Sequence, residues 1–388
     1  MSTITRFFHK ISTSYFLFGP RGTGKSTLMH LLYPKAIWID LLLPDVLRQY
    51  LSNPEHLANV VAARQDDDDI ITIVIDEVQK APKLLDVVHY LMEKHKKLQF
   101  ILTGSSSRKL KSTGVDLLGG RAGRKILHPF MACELKEKFS LENALEYGTI
   151  PLIVNSANPH ETLQAYIHLY LREEVQMEGL TRNLENFTRF LEAISFSHAS
   201  LINLTNIARE CNVKRKTVEN YLEILEDLLL AFKIPVFSKR ASRELTVHPK
   251  IYLFDTGVFQ ALRPKGILDH PEEIQGHALE GLVATHLRAW NDYSGGHNTI
   301  SFWRTKSGVE VDFIIYGKDN FYALEVKNSK KIRPSDLKPL ELFLQDYPMA
   351  TAILLHRGRE TWKEKNILCL PCSDFLQQLN PEKLKMYV

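Results

Sequence analysis

The residues with the clearest chemical purpose are Gly19 to Ser26, GPRGTGKS, which fit the P-loop pattern GxxxxGK[ST]. They follow an apolar run, Tyr15 to Phe18, and precede a helical stretch. Glycines at this spacing let successive backbone N–H groups turn inward around phosphate oxygens. The expected cradle comprises Gly19, Pro20, Arg21, Gly22, Thr23 and Gly24, continued by Lys25, Ser26 and Thr27. Lys25 would reach the β and γ phosphates and Ser26 would ligate Mg²⁺. The helix starting near Gly24 would turn its positive end toward the anion. ATP and Mg²⁺ are the cofactors this pattern predicts.

A second acidic motif, Asp76-Glu77, directly follows the apolar run IITIVI, which puts both carboxylates at the carboxyl edge of a sheet, where the P-loop also lies. Asp76 would hold the Mg²⁺ hydration shell and Glu77 would act as general base on the attacking water. The bland alternative is a pair of acidic residues capping the next helix. The next strand ends in Leu102-Thr103-Gly104-Ser105, so Thr103 and Ser105 are candidates to position the water or sense the γ phosphate. GGRAGR contributes Arg121 and Arg124. A guanidinium near the γ phosphate stabilises transition-state charge. Arg121 is the first choice, acting on its own nucleotide or on that of a neighbouring copy in a homo-oligomer. Two solvated loop arginines are an equally good reading.

The elements that must hold these groups are strands SYFLF, AIWID, IITIVI and LQFILT, alternating with helical stretches as in a parallel α/β sheet. IITIVI lacks polar alternation beyond Thr72, as a strand covered on both faces does. The Asp66 to Asp69 run reads as a solvated loop. From about 161 to 232 apolar residues such as Phe187, Phe190, Leu191 and Ile194 recur at helical spacing. Within this stretch, Leu204 to Leu228 reads as two helices joined at Cys211-Asn212-Val213, a helix-turn-helix. Lys214, Arg215 and Lys216 stand at the start of the second helix, and SKRASRE could form a basic wing. Those residues could meet DNA or RNA phosphates, but Glu219, Glu223, Glu226 and Asp227 on the same helix would repel a duplex. A winged helix serving as a protein contact is the equal alternative.

Toward the C-terminus, a helix over about Glu272 to Trp290 carries Glu280 beside its apolar stripe. Strands follow near 300–304, 309–316 and 321–327. Period-two alternation sets Glu310 and Asp312 opposite Val311 and Phe313, and places Glu325 and Lys327 on one face. A helical glutamate, then Asp312, then Glu325-Val326-Lys327 resembles the PD-(D/E)XK nuclease core, with Val311 in place of the proline. In such a site Asp312 and Glu325, with Glu280, would bind Mg²⁺, and Lys327 would orient the attacking water. A surface Glu325–Lys327 pair plus unrelated carboxylates is the alternative.

Taken together, GPRGTGKS, IVIDEVQK, LTGSSS, GGRAGR, the central helix-turn-helix, EVDFII and ALEVK resemble a family of prokaryotic AAA-type ATPases. Its members join an AAA-like P-loop domain and a winged helix to a C-terminal domain of unknown function that looks like a PD-(D/E)XK nuclease. The resemblance implies an α/β fold in three parts. These are an AAA-like P-loop domain at 1–155, a helical and winged-helix segment at 156–262, and a restriction-endonuclease-like domain at 263–388. It further implies ATP hydrolysis by Lys25, Ser26, Asp76 and Glu77, and metal-dependent chemistry at Asp312, Glu325 and Lys327. An ATP-gated switch with a catalytically silent C-terminal fold is the alternative; a P-loop kinase fits Asp76-Glu77 less well.

The totals agree with this division. A chain of 388 residues, 44% hydrophobic and 24% charged, can bury two or three cores of about 150 residues each. The net charge of +4 permits nucleic-acid binding without making it the default. The N-terminal residues lack the apolar stretch of a secretory signal, and no apolar run reaches the roughly 18 residues of a membrane span. A cytoplasmic protein is expected. Cys133 and Cys211 stand alone, and Cys369 and Cys372 supply only half of a zinc site, so inert thiols are expected.

Overall fold

The four apolar runs form neighbouring parallel strands in the computed structural model of the chain, which describes residues 4–63, 71–106, 108, 118–171, 184–239, 248–267 and 269–383. The Asp66 to Asp69 run and the supposed wing from residue 240 to 244 lie outside these described residues. The strands are β1 (Tyr15–Phe18), β2 (Ile37–Asp40), β3 (Ile71–Asp76) and β4 (Leu98–Gly104). A fifth, β5 (Gly123–Ile126), joins them in the order β2-β3-β4-β1-β5, all parallel. This five-stranded parallel sheet is that of a P-loop NTPase.

Register sets the chemistry of the sheet edge. Phe18 lies opposite Gly104, and Ile75 opposite Leu102, so Gly19, Asp76, Thr103 and Ser105 all emerge at the same carboxyl end. The sheet is fixed there by burial on both faces. Phe16, Phe18, Ile73, Ile75, Phe100 and Leu102 belong to a core that also takes in Leu84, Leu85, Val88 and Leu91 of the helix Leu84–Lys94. The spacing of those four helix residues makes one apolar stripe, and each buried side chain is worth about 1.5–3 kcal/mol relative to exposure.

The chain divides into two compact units. One is Phe8–His128 with Glu226–Leu229, which holds this sheet; the other is Met1–Phe7 with Pro129–Leu225 and Leu230–Val388. The second unit contains two further sheets. A three-stranded antiparallel one orders β6 (Ser200–Leu201), β7 (Ala231–Ile234) and β8 (Lys250–Leu253) as β6-β8-β7. A mixed six-stranded one contains β9 (Thr299–Arg304), β10 (Glu310–Tyr316), β11 (Phe321–Lys327), β12 (Thr351–His356), β13 (Trp362–Glu364) and β14 (Ile367–Pro371). Their order is β13-β14-β12-β11-β10-β9.

One face of the six-stranded sheet packs Val311, Ile314, Ala323 and Leu354 against Leu337, Leu340 and Phe343 of the helix Pro334–Asp346. The β10–β9 ladder shifts register between Val311 and Ile314, and Asp312 lies at that irregularity. The predicted helix-turn-helix is present as Leu204–Glu210 and Arg215–Asp227. Asn212 turns the chain with a left-handed backbone (φ 52°), a conformation asparagine tolerates better than most residues. Ile207, Ala208, Val218, Leu222 and Leu225 are buried, and Tyr221 packs between Phe187 and Phe190.

Candidate nucleotide site and a buried carboxylate cluster

The P-loop is shaped by its glycines. Gly22 and Gly24 have φ of 81° and 85°, values that side-chain-bearing residues rarely adopt. A Cβ on Gly19 would sit 2.5 Å from the Leu127 carbonyl oxygen, so that position also demands glycine. Lys25 is buried, with its ammonium 2.8 Å from the Gly19 carbonyl and 3.4 Å from that of Pro20. The Thr23 hydroxyl donates to the Pro20 carbonyl at 2.8 Å, which tightens the loop. Arg21 and Thr27 are both exposed, on the borders of the same segment.

Across the sheet edge, the Ser26 hydroxyl donates to Asp76 Oδ2 at 2.6 Å. The Thr103 hydroxyl donates to Asp76 Oδ1 and accepts the Glu77 backbone N–H at 3.3 Å. A hydroxyl and a carboxylate meeting in this way are hard oxygen donors of the kind Mg²⁺ takes, so the residues present fit that ion. Glu77 itself has a left-handed backbone, φ 59° and ψ 45°, a conformation that costs about 1–3 kcal/mol at a non-glycine residue. Its carboxylate accepts a hydrogen bond from the amide of Gln79, which also donates to Ser105 Oγ at 3.3 Å. Gln79 was not singled out from sequence. The signal was its place two residues beyond a carboxylate, in a tight turn that folds it back.

The two arginines differ in place. β5 runs parallel to β1 with Gly123 opposite Tyr15, so Arg121 precedes the strand at the edge away from the P-loop. There its guanidinium pairs with Glu93 at 2.8 Å, both side chains about half exposed. Arg124 is exposed one residue into the strand, its guanidinium 5.7 Å from the centre of the Phe18 ring. From sequence, either arginine could serve its own or a neighbouring copy's nucleotide, or be solvated. The short strand formed by the last residues of GGRAGR carries Arg121 to the opposite side.

In the second unit, Glu280, Glu310 and Asp312 converge on Lys250 of β8. The Lys250 ammonium lies 2.8 Å from Glu280, 3.4 Å from Asp312, and in direct contact with Glu310. Only 2% of Lys250 is exposed. Each of the three carboxylates has a further partner. Tyr252 donates to Glu280 at 2.6 Å, the Val326 N–H donates to Asp312 at 2.9 Å, and Arg304 pairs with Glu310 at 2.9 Å. Glu325, 3% exposed, is paired with Lys327 through one oxygen; its other oxygen, Oε2, is buried with no hydrogen-bond partner among the described residues.

Burial pulls the Lys250 pKa down, but Glu280, Asp312 and Glu310 outweigh it and hold the ammonium well above its ordinary range. Burial, reinforced by Asp312, pushes Glu280 up to about 7 and Glu325 well above the carboxylate range. The three predicted metal ligands are therefore split: Glu280 and Asp312 meet at one lysine, and Glu325 at another. Among the described residues no group of three or more His, Cys, Asp or Glu is arranged to hold a metal ion. Lys250 and Tyr252 could not be found from sequence, because a lysine opening a strand ordinarily faces solvent.

Of the remaining candidates, Lys214, Arg215 and Lys216 are exposed at the helix start, but Arg215 and Lys216 both reach Glu219, at 3.2 and 3.4 Å. The four cysteines are free thiols, and burial raises all their pKa values, Cys133 and Cys372 to about 12. Among the described residues no helix is long and apolar enough to cross a membrane.

Comparison with known proteins bears on each segment. Residues 12–136 match the AAA domain family, residues 138–268 a domain of unknown function, DUF8612, and residues 275–375 another, DUF4143. Uncharacterized proteins of Mycobacterium bovis and Mycobacterium tuberculosis are each 24% identical over 370 residues, covering 93% of this chain and 80% of theirs. Among solved structures, the Aeropyrum pernix ORC2 protein in its ADP form is 14% identical, with a TM-score of 0.30 over 58% of this chain and 82% of that one. A Vibrio cholerae protein is 13% identical, with a TM-score of 0.20 over 94% of this chain and 95% of that one. Residues 12–136, which hold the P-loop and the five-stranded parallel sheet, are thus similar in sequence to AAA domains.

Proposed function

We propose that this chain is a Mg²⁺-dependent ATPase whose nucleotide state works as a switch on its second unit. The observation that carries this reading is the chain Ser26–Asp76–Thr103, which ties the P-loop to the end of β3 and leaves Glu77 beside it. Mg²⁺ bound by Ser26 and Asp76 would supply charge neutralisation to the phosphates. Lys25 exchanges its contacts with the Gly19 and Pro20 carbonyls for phosphate oxygens. Gln79 and the Thr103 hydroxyl orient Glu77, which takes a proton from the attacking water. The direct test is nucleotide binding by Lys25→Ala. The wild type binds ATP, and the variant is expected to lose at least tenfold in affinity; unchanged affinity would remove the P-loop from the reading.

A second observation favours the switch over a nuclease driven by ATP. Glu280, Glu310, Asp312 and Glu325 are already neutralised by Lys250, Arg304 and Lys327, which supports a nuclease-like domain that is catalytically silent in this state. Engagement of Arg215 and Lys216 with Glu219 likewise supports a helix-turn-helix that contacts a protein rather than DNA or RNA. Arg121, remote from its own P-loop, suits a role on a neighbouring copy's nucleotide in a homo-oligomer. Incubation of single- and double-stranded DNA and RNA with Mg²⁺ or Mn²⁺ separates the two readings. Cleavage that is lost in Asp312→Ala would restore the nuclease.

A further inference from the structure

We propose that Lys250 is a built-in counter-cation that occupies a latent divalent-cation site, keeping the carboxylate cluster closed to metal. The inference rests on the silent-domain reading above and goes beyond it by naming the residue responsible. An ammonium has three N–H donors, and Lys250 directs its own toward Glu280, Glu310 and Asp312. Carboxylates are the hard donors that a divalent cation of the Ca²⁺, Mn²⁺ or Mg²⁺ class takes, and with Lys250 among them these three are not arranged to hold such an ion. Beside this cluster the buried Oε2 of Glu325 has no hydrogen-bond partner among the described residues.

The geometry explains why lysine and metal exclude each other. An ammonium nitrogen stands about 2.8 Å from its oxygen partners, whereas Mn²⁺ or Ca²⁺ needs roughly 2.1–2.6 Å, so both cannot occupy the centre of the same three oxygens. Lys250 is not contributed by the elements that carry the carboxylates. It begins β8, paired to Leu201 of β6 and Ile234 of β7, while Glu280 lies on the helix Pro271–Tyr293 and Glu310 and Asp312 on β10. Any movement that draws β8 away from that helix and strand removes the internal cation and exposes three carboxylates that then require another.

The test is Mn²⁺ binding by the full-length chain without nucleotide, followed by calorimetry and by electron paramagnetic resonance of free Mn²⁺. Wild type and Asp312→Asn are expected to give the same isotherm, because the cluster takes no metal while Lys250 is in place. Lys250→Ala is expected to gain one Mn²⁺ site, to show a thermal midpoint that rises with Mn²⁺, and to lose both in Lys250→Ala with Asp312→Asn. A wild-type Mn²⁺ site that Asp312→Asn abolishes would overturn the proposal, as would a folded Lys250→Ala that gains none. The wild-type comparison stands even where Lys250→Ala fails to fold. Because the readout is metal binding, a failed ATPase or cleavage assay would not be mistaken for failure here.

Discussion

Replacing Thr103 by valine removes one hydroxyl from beneath Glu77 while keeping the branched shape of the side chain. Thr103 is fully buried, and its hydroxyl makes two bonds, one to the Asp76 carboxylate and a longer one, 3.3 Å, from the Glu77 N–H. A hydrogen bond to a charged partner contributes about 1.5–3 kcal/mol, and an ordinary one about 0.5–1.5 kcal/mol. The longer bond belongs at the low end, so the expected loss of stability is about 2–3 kcal/mol. The bond from its N–H helps hold Glu77 in its left-handed conformation, which the backbone does not favour by itself. Its removal lets the carboxylate drift from the water it must deprotonate. At about 1.4 kcal/mol per tenfold in rate, turnover should fall roughly 10- to 100-fold while the KM for ATP stays within about threefold. Phosphate release under steady state measures this, and Thr103→Ser, which keeps the hydroxyl, should restore most of the rate. Wild-type turnover in Thr103→Val, or a loss confined to KM, would refute the reasoning.

Two further outcomes follow from the geometry. Arg121→Ala should leave turnover unchanged wherever wild-type specific activity is independent of protein concentration, since Arg121 pairs with Glu93 at the far sheet edge; a loss of turnover in dilute monomer would place it at its own nucleotide. Burial, then Asp312, raises Glu280 from its ordinary 4.5 to about 7, so the folded protein holds this proton more tightly than the unfolded chain. That contribution to stability is fully present below pH of about 4.5 and fades as pH rises to about 7. Denaturant midpoints of the wild type should therefore decline relative to Glu280→Gln across that window, and parallel profiles would contradict the assignment.

The geometry of the candidate nucleotide site was largely legible because its determinants are local. SYFLF, IITIVI and LQFILT announce strands by composition, and the residues that follow each run must emerge at one sheet edge once the strands are parallel. Ser26, Asp76 and Thr103 are brought together on that basis alone. The place of Arg121 was not legible because GRKI has little strand character, yet pairing with β1 makes it an edge strand and sets the arginine at the end of the sheet away from the P-loop. The carboxylate cluster was half legible. Alternation along β10 and β11 gave Asp312 and Glu325, and the helix gave Glu280, but the charge that neutralises them comes from residue 250. Nothing in the local pattern KIYL distinguishes a lysine that faces solvent from one buried among three carboxylates; only long-range packing decides it.

In the proposed function, ATP hydrolysis depends on Glu77. Purified full-length chain should release phosphate from ATP in the presence of Mg²⁺, and Glu77→Gln should bind the nucleotide with wild-type affinity while losing at least about 100-fold in turnover. Undiminished turnover in Glu77→Gln, or a wild type that binds ATP and does not hydrolyse it, would contradict the claim that this edge of the sheet performs the chemistry.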